Sequence, residues 1–279
     1  MDGSKVWYVT GASQGLGLGL VKKLLDKGYR VAATSRTADA LVQAVGTYDK
    51  NRFLPLAVDL TSMDSIAGSV KQAQEVFGRI DVVVNNAGYG MAGTLEETEE
   101  EKIRDIFEIN VLATINVTKS ILPVMRKQGS GFFINIASVA GFAGAPGWSV
   151  YSATKAAVIA FSEVLALDVK EMGIRVCAIE PSGFRTGFLS KNSLALTESR
   201  IGGYEAVKKT REKYLAMNGQ QAGDPERAAE IFIELSEHPD PPIHLFLGAD
   251  AFHRAIEKIG FLSAELEGWK ETTLSVDRV

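Results

Sequence analysis

Short runs of β-branched and apolar residues alternate with longer amphipathic stretches along almost all of this 279-residue chain. Strands joined by helix-length connections run parallel, whereas short turns reverse the chain, so the alternation dictates βαβ units and a parallel sheet with helices on both faces. The pattern predicts strands over residues 5–10, 30–34, 53–58, 81–85, 131–137, 174–180 and 243–247. Helices are expected over residues 15–27, 39–45, 62–77, 99–128, 149–172, 225–237 and 249–259. The expected fold is α/β: one doubly wound, seven-stranded parallel sheet in a single domain over residues 1–279. A hydrophobic content of 46% is enough to build its core.

Composition excludes several classes of function. The formal net charge of −4 and the absence of a long basic run argue against a nucleic-acid partner. No basic region precedes a long apolar one at the N-terminus, so no signal peptide is expected, and the apolar stretch over 132–148 is too interrupted by Gly, Pro and Ser to span a membrane. The lone Cys177 and the scattered His238, His244 and His253 offer neither a disulfide framework nor a metal-ligand cluster. A cytoplasmic location, with no membrane partner, is the expectation.

The regular alternation fails between residues 184 and 223. This insertion mixes charge with Phe188, Leu189, Leu194, Leu196, Ile201, Tyr204, Tyr214, Leu215 and Met217. Insertions of this length in a compact fold are usually lids or binding elements, a surface helical hairpin being the alternative. A C-terminal tail follows at about 261–279.

At the first strand-to-helix junction stands Thr10-Gly11-Ala12-Ser13-Gln14-Gly15-Leu16-Gly17, ahead of a helix with Leu18, Val21, Leu24 and Leu25 on one stripe. Such a turn exposes unpaired N–H groups at the positive end of a helix dipole, where a pyrophosphate can bind. The second strand then leads into Ser35-Arg36. A carboxylate here would take the ribose 2′-hydroxyl of NAD, whereas the guanidinium can pair with a 2′-phosphate, which favours NADP(H) over NAD(H). Asp59-Leu60, past the third strand, could accept a hydrogen bond from adenine or could start the following helix. After the fourth strand, Asn85-Asn86-Ala87-Gly88 makes a small-residue turn that a flat ring can approach.

Tyr151 and Lys155 lie four residues apart on a predicted helix, about 40° apart around its axis. An ammonium beside a phenol favours the phenolate and should lower the tyrosine pKa from about 10, making it a proton donor near neutral pH.

With these motifs in this order, the chain resembles the classical short-chain dehydrogenase/reductase family over about residues 5–250. The glycine pattern is met by Thr10, Gly11, Gly15 and Gly17, and the Asn-Asn-Ala-Gly turn by residues 85–88. The helix asparagine is Asn110, followed by Val111; the serine after the fifth strand is Ser138, and Tyr-x-x-x-Lys is Tyr151 with Lys155. Two places depart from the family pattern: Pro181-Ser182-Gly183 carries serine where glycine is usual, and Ala113 replaces a glycine after Asn110-Val111-Leu112.

The resemblance implies a Rossmann-type fold and carbonyl–alcohol interconversion with a nicotinamide cofactor. In it, Ser138 and Tyr151 bond the carbonyl oxygen, Tyr151 is the general acid/base, Lys155 tunes Tyr151 and bonds the nicotinamide ribose, and Asn110 holds a water behind Lys155. Pro181 and Gly183 would line the cofactor, with Thr186 on its carboxamide. Tyr89, Met91, Val139, Phe142, Trp148, Phe184 and Phe188 flank the expected site and suit a hydrophobic ketone, aldehyde or alcohol. A helix apolar nearly all round, with Ala153, Ala157, Ala160 and Val164 opposite Tyr151, predicts a homo-oligomer, dimer or tetramer, through this helix and the 99–128 helix; burial under the 261–279 tail is the alternative. Two other functions fit the same scaffold: a non-catalytic NADP-sensing regulator and an epimerase or dehydratase.

Overall fold

The computed structural model describes residues 5–191, 193–198 and 200–277. Along the chain run β1 (Val6–Val9), α1 (Gly15–Asp26), β2 (Arg30–Ser35), α2 (Ala38–Val45), β3 (Phe53–Ala57), α3 (Met63–Phe77) and β4 (Val82–Asn85). A short β5 (Gly90–Ala92) precedes α4 (Glu100–Phe107), α5 (Ala113–Gln128), β6 (Gly131–Ile136), α6 (Val139–Phe142), α7 (Ser149–Val169) and β7 (Ile174–Pro181). The chain continues through β8 (Leu194–Leu196), α8 (Glu205–Ala216), α9 (Pro225–Glu237), β9 (His244–Leu247), α10 (Ala249–Gly268) and α11 (Lys270–Leu274).

Seven of these strands form one sheet in the order β3-β2-β1-β4-β6-β7-β9, every pair parallel. All seven expected strands are present. Their period-two alternation sorts side chains between two cores. In β1, Trp7 and Val9 join Leu20, Leu24 and Phe232 under α1 and α9, whereas Val6 and Tyr8 join Ile66, Ile121 and Leu165 under α3, α5 and α7. Strand order reverses between β1 and β4, so the turns after these two strands open the crevice where ligands of such sheets bind.

The predicted helix over 99–128 is not continuous. A π-helical turn at Glu108–Leu112 separates α4 from α5. Its cause is Asn110, whose Oδ1 accepts from Tyr89 N (3.0 Å) while its Nδ2 donates to Tyr89 O (2.9 Å) and Thr154 Oγ1 (3.1 Å). The extra residue in the turn aims that amide inward, a local contact that hydrophobic periodicity does not register.

Residues 184–223 contain a 3₁₀ turn at Gly187–Leu189, the strand β8 and the helix α8. β8 pairs in parallel with β5, a small second sheet absent from the sequence reading because both strands have three residues. The C-terminus also departs from expectation. α10 runs nine residues past position 259 and α11 follows, so the segment from 261 is mostly helix, and every described residue from Ile259 onward is exposed. It does not cover α7.

Residues 149–172 make a helix long and apolar enough by composition to cross a membrane. Packing of α7 against α6 and β7 accounts for that apolarity, with Tyr151, Lys155, Val158, Leu165 and Val169 buried. Ala153, Ala156, Ala160, Val164 and Leu167 form an exposed stripe on its other side.

Candidate active site

The turn after β1 is fastened to the turn after β4 by the side chains of Thr10 and Asn86 bonding backbone groups across the gap. Thr10 Oγ1 accepts from both Asn86 N and Ala87 N at 3.0 Å, and Asn86 Nδ2 donates to Thr10 O (2.9 Å) and Gly11 O (3.0 Å). Gly11 is required twice over: its φ is +62°, and a Cβ there would stand 2.7 Å from Ala87 Cα. A Cβ at Gly17 would meet the Asn86 amide and Gly11 O. No side chain caps α1, whose N-cap residue is Gln14, so the first N–H groups beside Ser13, Gly15 and Leu16 are left for a ligand. This cradle fits a pyrophosphate.

The other expected cofactor residues line the same end of the sheet. Ser35 closes β2 and bonds Thr37 O through its hydroxyl, leaving Arg36 exposed immediately after the strand. Asp59 is exposed and accepts from Thr61 N (2.9 Å) and Thr61 Oγ1 (2.7 Å), bonds that hold its carboxyl below the usual range. The N-cap of α3 is Ser62, not Asp59, so Asp59 closes a turn ahead of that helix. Leu60 beside it packs on the sheet core.

Across the cleft, Pro181 ends β7 and Gly183 follows. Thr186 caps the next turn through Phe188 N and lies against the glycine loop, 3.8 Å from the place of a Gly15 Cβ. The buried Gln221 packs beneath Gly183, and its amide has no partner among the described residues. That amide is available to a group bound at this loop.

The four expected catalytic residues converge. A Cβ at Gly88 would stand 2.9 Å from Asn110 Oδ1 and 3.5 Å from Lys155 Nζ, so the Asn-Asn-Ala-Gly turn touches both. Lys155 is buried and donates to Ile136 O at 2.8 Å. Ser138 caps α6 through Ala140 N (3.1 Å), and its hydroxyl neighbours that of Tyr151. Gly141 brings α6 against the Lys155 backbone; any side chain there would clash. Thr154 and Gly141 were missed as positioning residues because neither belongs to a motif; only the packing of α6 and α7 reveals them.

One expectation is overturned. Tyr151 is pushed up to about 12, not down: burial opposes the phenolate, neighbouring Tyr214 adds to it, and only the Ser138 hydroxyl pulls the other way. The Lys155 ammonium turns to the Ile136 carbonyl, 5.9 Å from the Tyr151 ring centre, and burial lowers its own pKa to about 8. In this arrangement desolvation outweighs the cation.

The substrate side is aromatic. Trp148 stands edge-on to Tyr151 at 5.5 Å and tilts against Tyr214 of α8 at 5.0 Å, while Phe188 packs 5.9 Å from Tyr151. Met91, Leu189 and Leu194 complete this cluster. Val139 and Phe142, also expected here, lie on α6, where Phe142 faces Phe246 at 5.3 Å, away from the cluster. Phe184 packs on the α1 and α9 core.

A parallel sheet with a glycine cradle at its switch point and a Ser–Tyr–Lys group beside it defines a dinucleotide-dependent oxidoreductase. The family model for short chain dehydrogenases matches residues 5–196, and the chain belongs to the short-chain dehydrogenase/reductase family of NAD(P)-dependent enzymes acting on CH–OH groups. It is 36% identical over 273 residues to oxidoreductase BOA17 of Botryotinia fuckeliana, covering 98% of this chain and 99% of that one. It is also 32% identical to 3-ketodihydrosphingosine reductase of Bacteroides thetaiotaomicron over 88% of each chain. A short-chain dehydrogenase from Streptomyces avermitilis superposes with a TM-score of 0.91 at 35% identity, covering all of both chains.

Proposed function

We propose that the protein is an NADP(H)-dependent carbonyl reductase, or the corresponding alcohol dehydrogenase, for a hydrophobic substrate. The observation that carries this reading is the junction of Ser138, Tyr151 and an aromatic wall in one cluster. A bound reduced nicotinamide supplies the hydride. Ser138 and Tyr151 hydrogen-bond the carbonyl oxygen, and Tyr151 donates its proton as the alkoxide forms. A phenol held protonated by burial is suited to donate, and the developing alkoxide is a strong enough base to take its proton. Lys155, anchored on Ile136 O beneath Gly88, orients the ribose end of the cofactor, while Asn110 fixes the Tyr89 backbone next to it.

The apolar wall formed by Trp148, Phe188, Leu189 and Tyr214 favours an apolar ketone or aldehyde over a sugar or charged acid. The 184–223 segment supplies three of those four residues, which makes it the substrate lid. The name of the Bacteroides relative, 3-ketodihydrosphingosine reductase, is in keeping with reduction of a ketone.

Arg36 at the end of β2, with no carboxylate in its place, supports NADP(H) over NAD(H). The exposed alanine stripe of α7 supports a homo-oligomer, and the protein is assigned to the cytoplasm, with no nucleic-acid or membrane partner. The test is titration of NADPH and NADH against the parent and Arg36→Asp, then turnover on a panel of ketones and aldehydes. NADPH should bind the parent at least tenfold tighter, and Arg36→Asp should reverse the order. Tighter NADH binding by the parent would defeat the cofactor assignment, and lack of turnover across the panel despite tight binding would defeat the reductase.

A further inference from the structure

Period-two alternation puts Asn85 on the same sheet face as Val83, and Asn135 on the same face as Phe133, at the ends of rows that pack under α5 and α7. An apolar residue is the expectation at both places. Instead the two amides lie side by side in neighbouring strands at 3% and 0% exposure, with Thr118 of α5 and Ser162 of α7 buried against them. Neither Asn135 nor Ser162 belongs to a motif legible in the sequence.

Their hydrogen bonds form one directed string. Asn85 Nδ2 donates to Thr118 Oγ1 (3.1 Å) and to Asn135 Oδ1 (2.8 Å), which uses both of its hydrogens. With Oδ1 of Asn135 taken as the acceptor, its Nδ2 faces Ser162 Oγ and donates to it at 2.9 Å. The Ser162 hydroxyl in turn donates to Val158 O at 2.7 Å. Neither Asn135 nor Ser162 can turn over without losing a partner, so the string holds one geometry.

We propose that Asn135 and Ser162 are positioning residues that set the axial register of the catalytic helix α7 on β6. The next residue of β6 is Ile136, whose carbonyl anchors Lys155 Nζ at 2.8 Å. Lys155 and Ser162 stand seven residues apart, about 20° around the helix axis and about 10 Å along it, so one face of α7 makes both contacts with one stretch of one strand. The other buried contacts of that face, through Val158, Leu165 and Val169, are apolar. Apolar contact is non-directional, whereas a hydrogen bond weakens within a few tenths of an ångström. A slip of α7 by one residue moves Lys155 by about 1.5 Å, enough to break its bond to Ile136 O. A second polar tie of α7, from Asn110 Nδ2 to Thr154 Oγ1, runs to the π-helical turn and not to the sheet, so it does not set the height of Lys155 on β6.

A purely stabilising role fits less well. Burying two amides costs free energy that apolar residues of the same shape would not, and Asn85 Oδ1 is left without a partner among the described residues. What the string adds over an apolar core is a defined position. This role rests on the assignment of the chemistry to Tyr151 and Lys155, and on no choice of carbonyl or of cofactor phosphate.

Ser162→Ala and Asn135→Val, made separately in the full chain, are the test, with Val169→Ala as a control that loosens the same helix without touching the string. All three should lower the thermal midpoint. Turnover is then measured with the better of NADPH and NADH and the best carbonyl of the panel. Only the first two variants should lower kcat, about tenfold or more, with the carbonyl KM changed less than about twofold, while Val169→Ala keeps kcat within about twofold of the parent. Crystal structures of Ser162→Ala and Asn135→Val should show α7 displaced along β6 by roughly half an ångström or more, with Lys155 Nζ parted from Ile136 O. An undisplaced helix, an unchanged kcat, or an equal loss of kcat in Val169→Ala would each overturn the proposal. Turnover retained in Tyr151→Phe defeats the reading of the site instead, and the crystal structures still decide whether the string sets the register.

Discussion

The glycine loop and the 184–223 segment touch where Gln14 Nε2 donates to Ser193 Oγ at 2.9 Å, but they are held in different ways. The loop is tied down by the Thr10 and Asn86 side chains, which bond backbone groups, and by glycines that no side chain can replace. The segment is held by side-chain packing, with Phe188, Leu194 and Tyr214 leaning on Trp148 and Tyr151. A phosphate is the same in every dinucleotide, so its cradle can be rigid and built of backbone. Substrates differ, and an apolar wall of side chains can be altered one residue at a time without disturbing the sheet.

The largest expected effect lies where the two walls join. Tyr151→Phe keeps the ring contacts and removes the proton, so turnover should fall about a thousandfold or more with cofactor Kd changed less than twofold; steady-state kinetics beside fluorescence titration would decide it. Retained turnover would move the acid elsewhere. On the rigid wall, Gly11→Ala forces a Cβ into Ala87 Cα at a positive φ, and it should weaken cofactor binding at least a hundredfold and cost about 2 kcal/mol of stability. If calorimetry finds both unchanged, the loop is not as stiff as its contacts require.

Beneath that wall, Lys155 gives a pH signature. In the fold its pKa is about 8, against 10.5 for an ordinary lysine. Below pH 8 both states carry the proton; between 8 and 10.5 only the unfolded chain does. The Lys155 contribution to the stability of the cofactor-free protein should therefore rise with pH across that window, by up to about 1.4 kcal/mol per unit, while the buried Cys177 thiol, pushed up to about 12 from 9.0, pulls the other way above pH 9. Urea melts at pH 7.5, 8.5 and 9.5 should show the stability of the parent relative to Lys155→Met rising with pH; a constant difference would defeat the assignment.

The smallest effect belongs to the packed wall. Tyr214→Ala should raise KM for an apolar carbonyl about tenfold and leave NADPH affinity alone. Equal effects on both ligands would mean that the two walls are not independent.

Much of the fold was legible because period-two and period-3.6 patterns are local: all seven sheet strands were readable, as was the helix carrying Tyr151 and Lys155. The glycine loop and the Asn85–Gly88 turn were legible for a related reason, since close backbone approach tolerates few residue types. The break at Asn110 was not, because it is caused by Tyr89 and Thr154, 21 and 44 residues away. Nor was the direction of the Tyr151 shift. Spacing places an ammonium on the same helix face, but desolvation depends on Phe188 and Tyr214 of the 184–223 segment closing over the ring beside Trp148.

The sequence by itself determined the parallel sheet, the cofactor cradle and the residue types of the catalytic group, since each follows from periodicity or from steric limits within a few residues. Tertiary structure decided how the phenol and ammonium are tuned, which aromatic residues form the substrate wall, and that the C-terminal helix leaves its apolar face uncovered. Burial is a property of the assembled surface, and no run of neighbouring residues specifies what will pack against it.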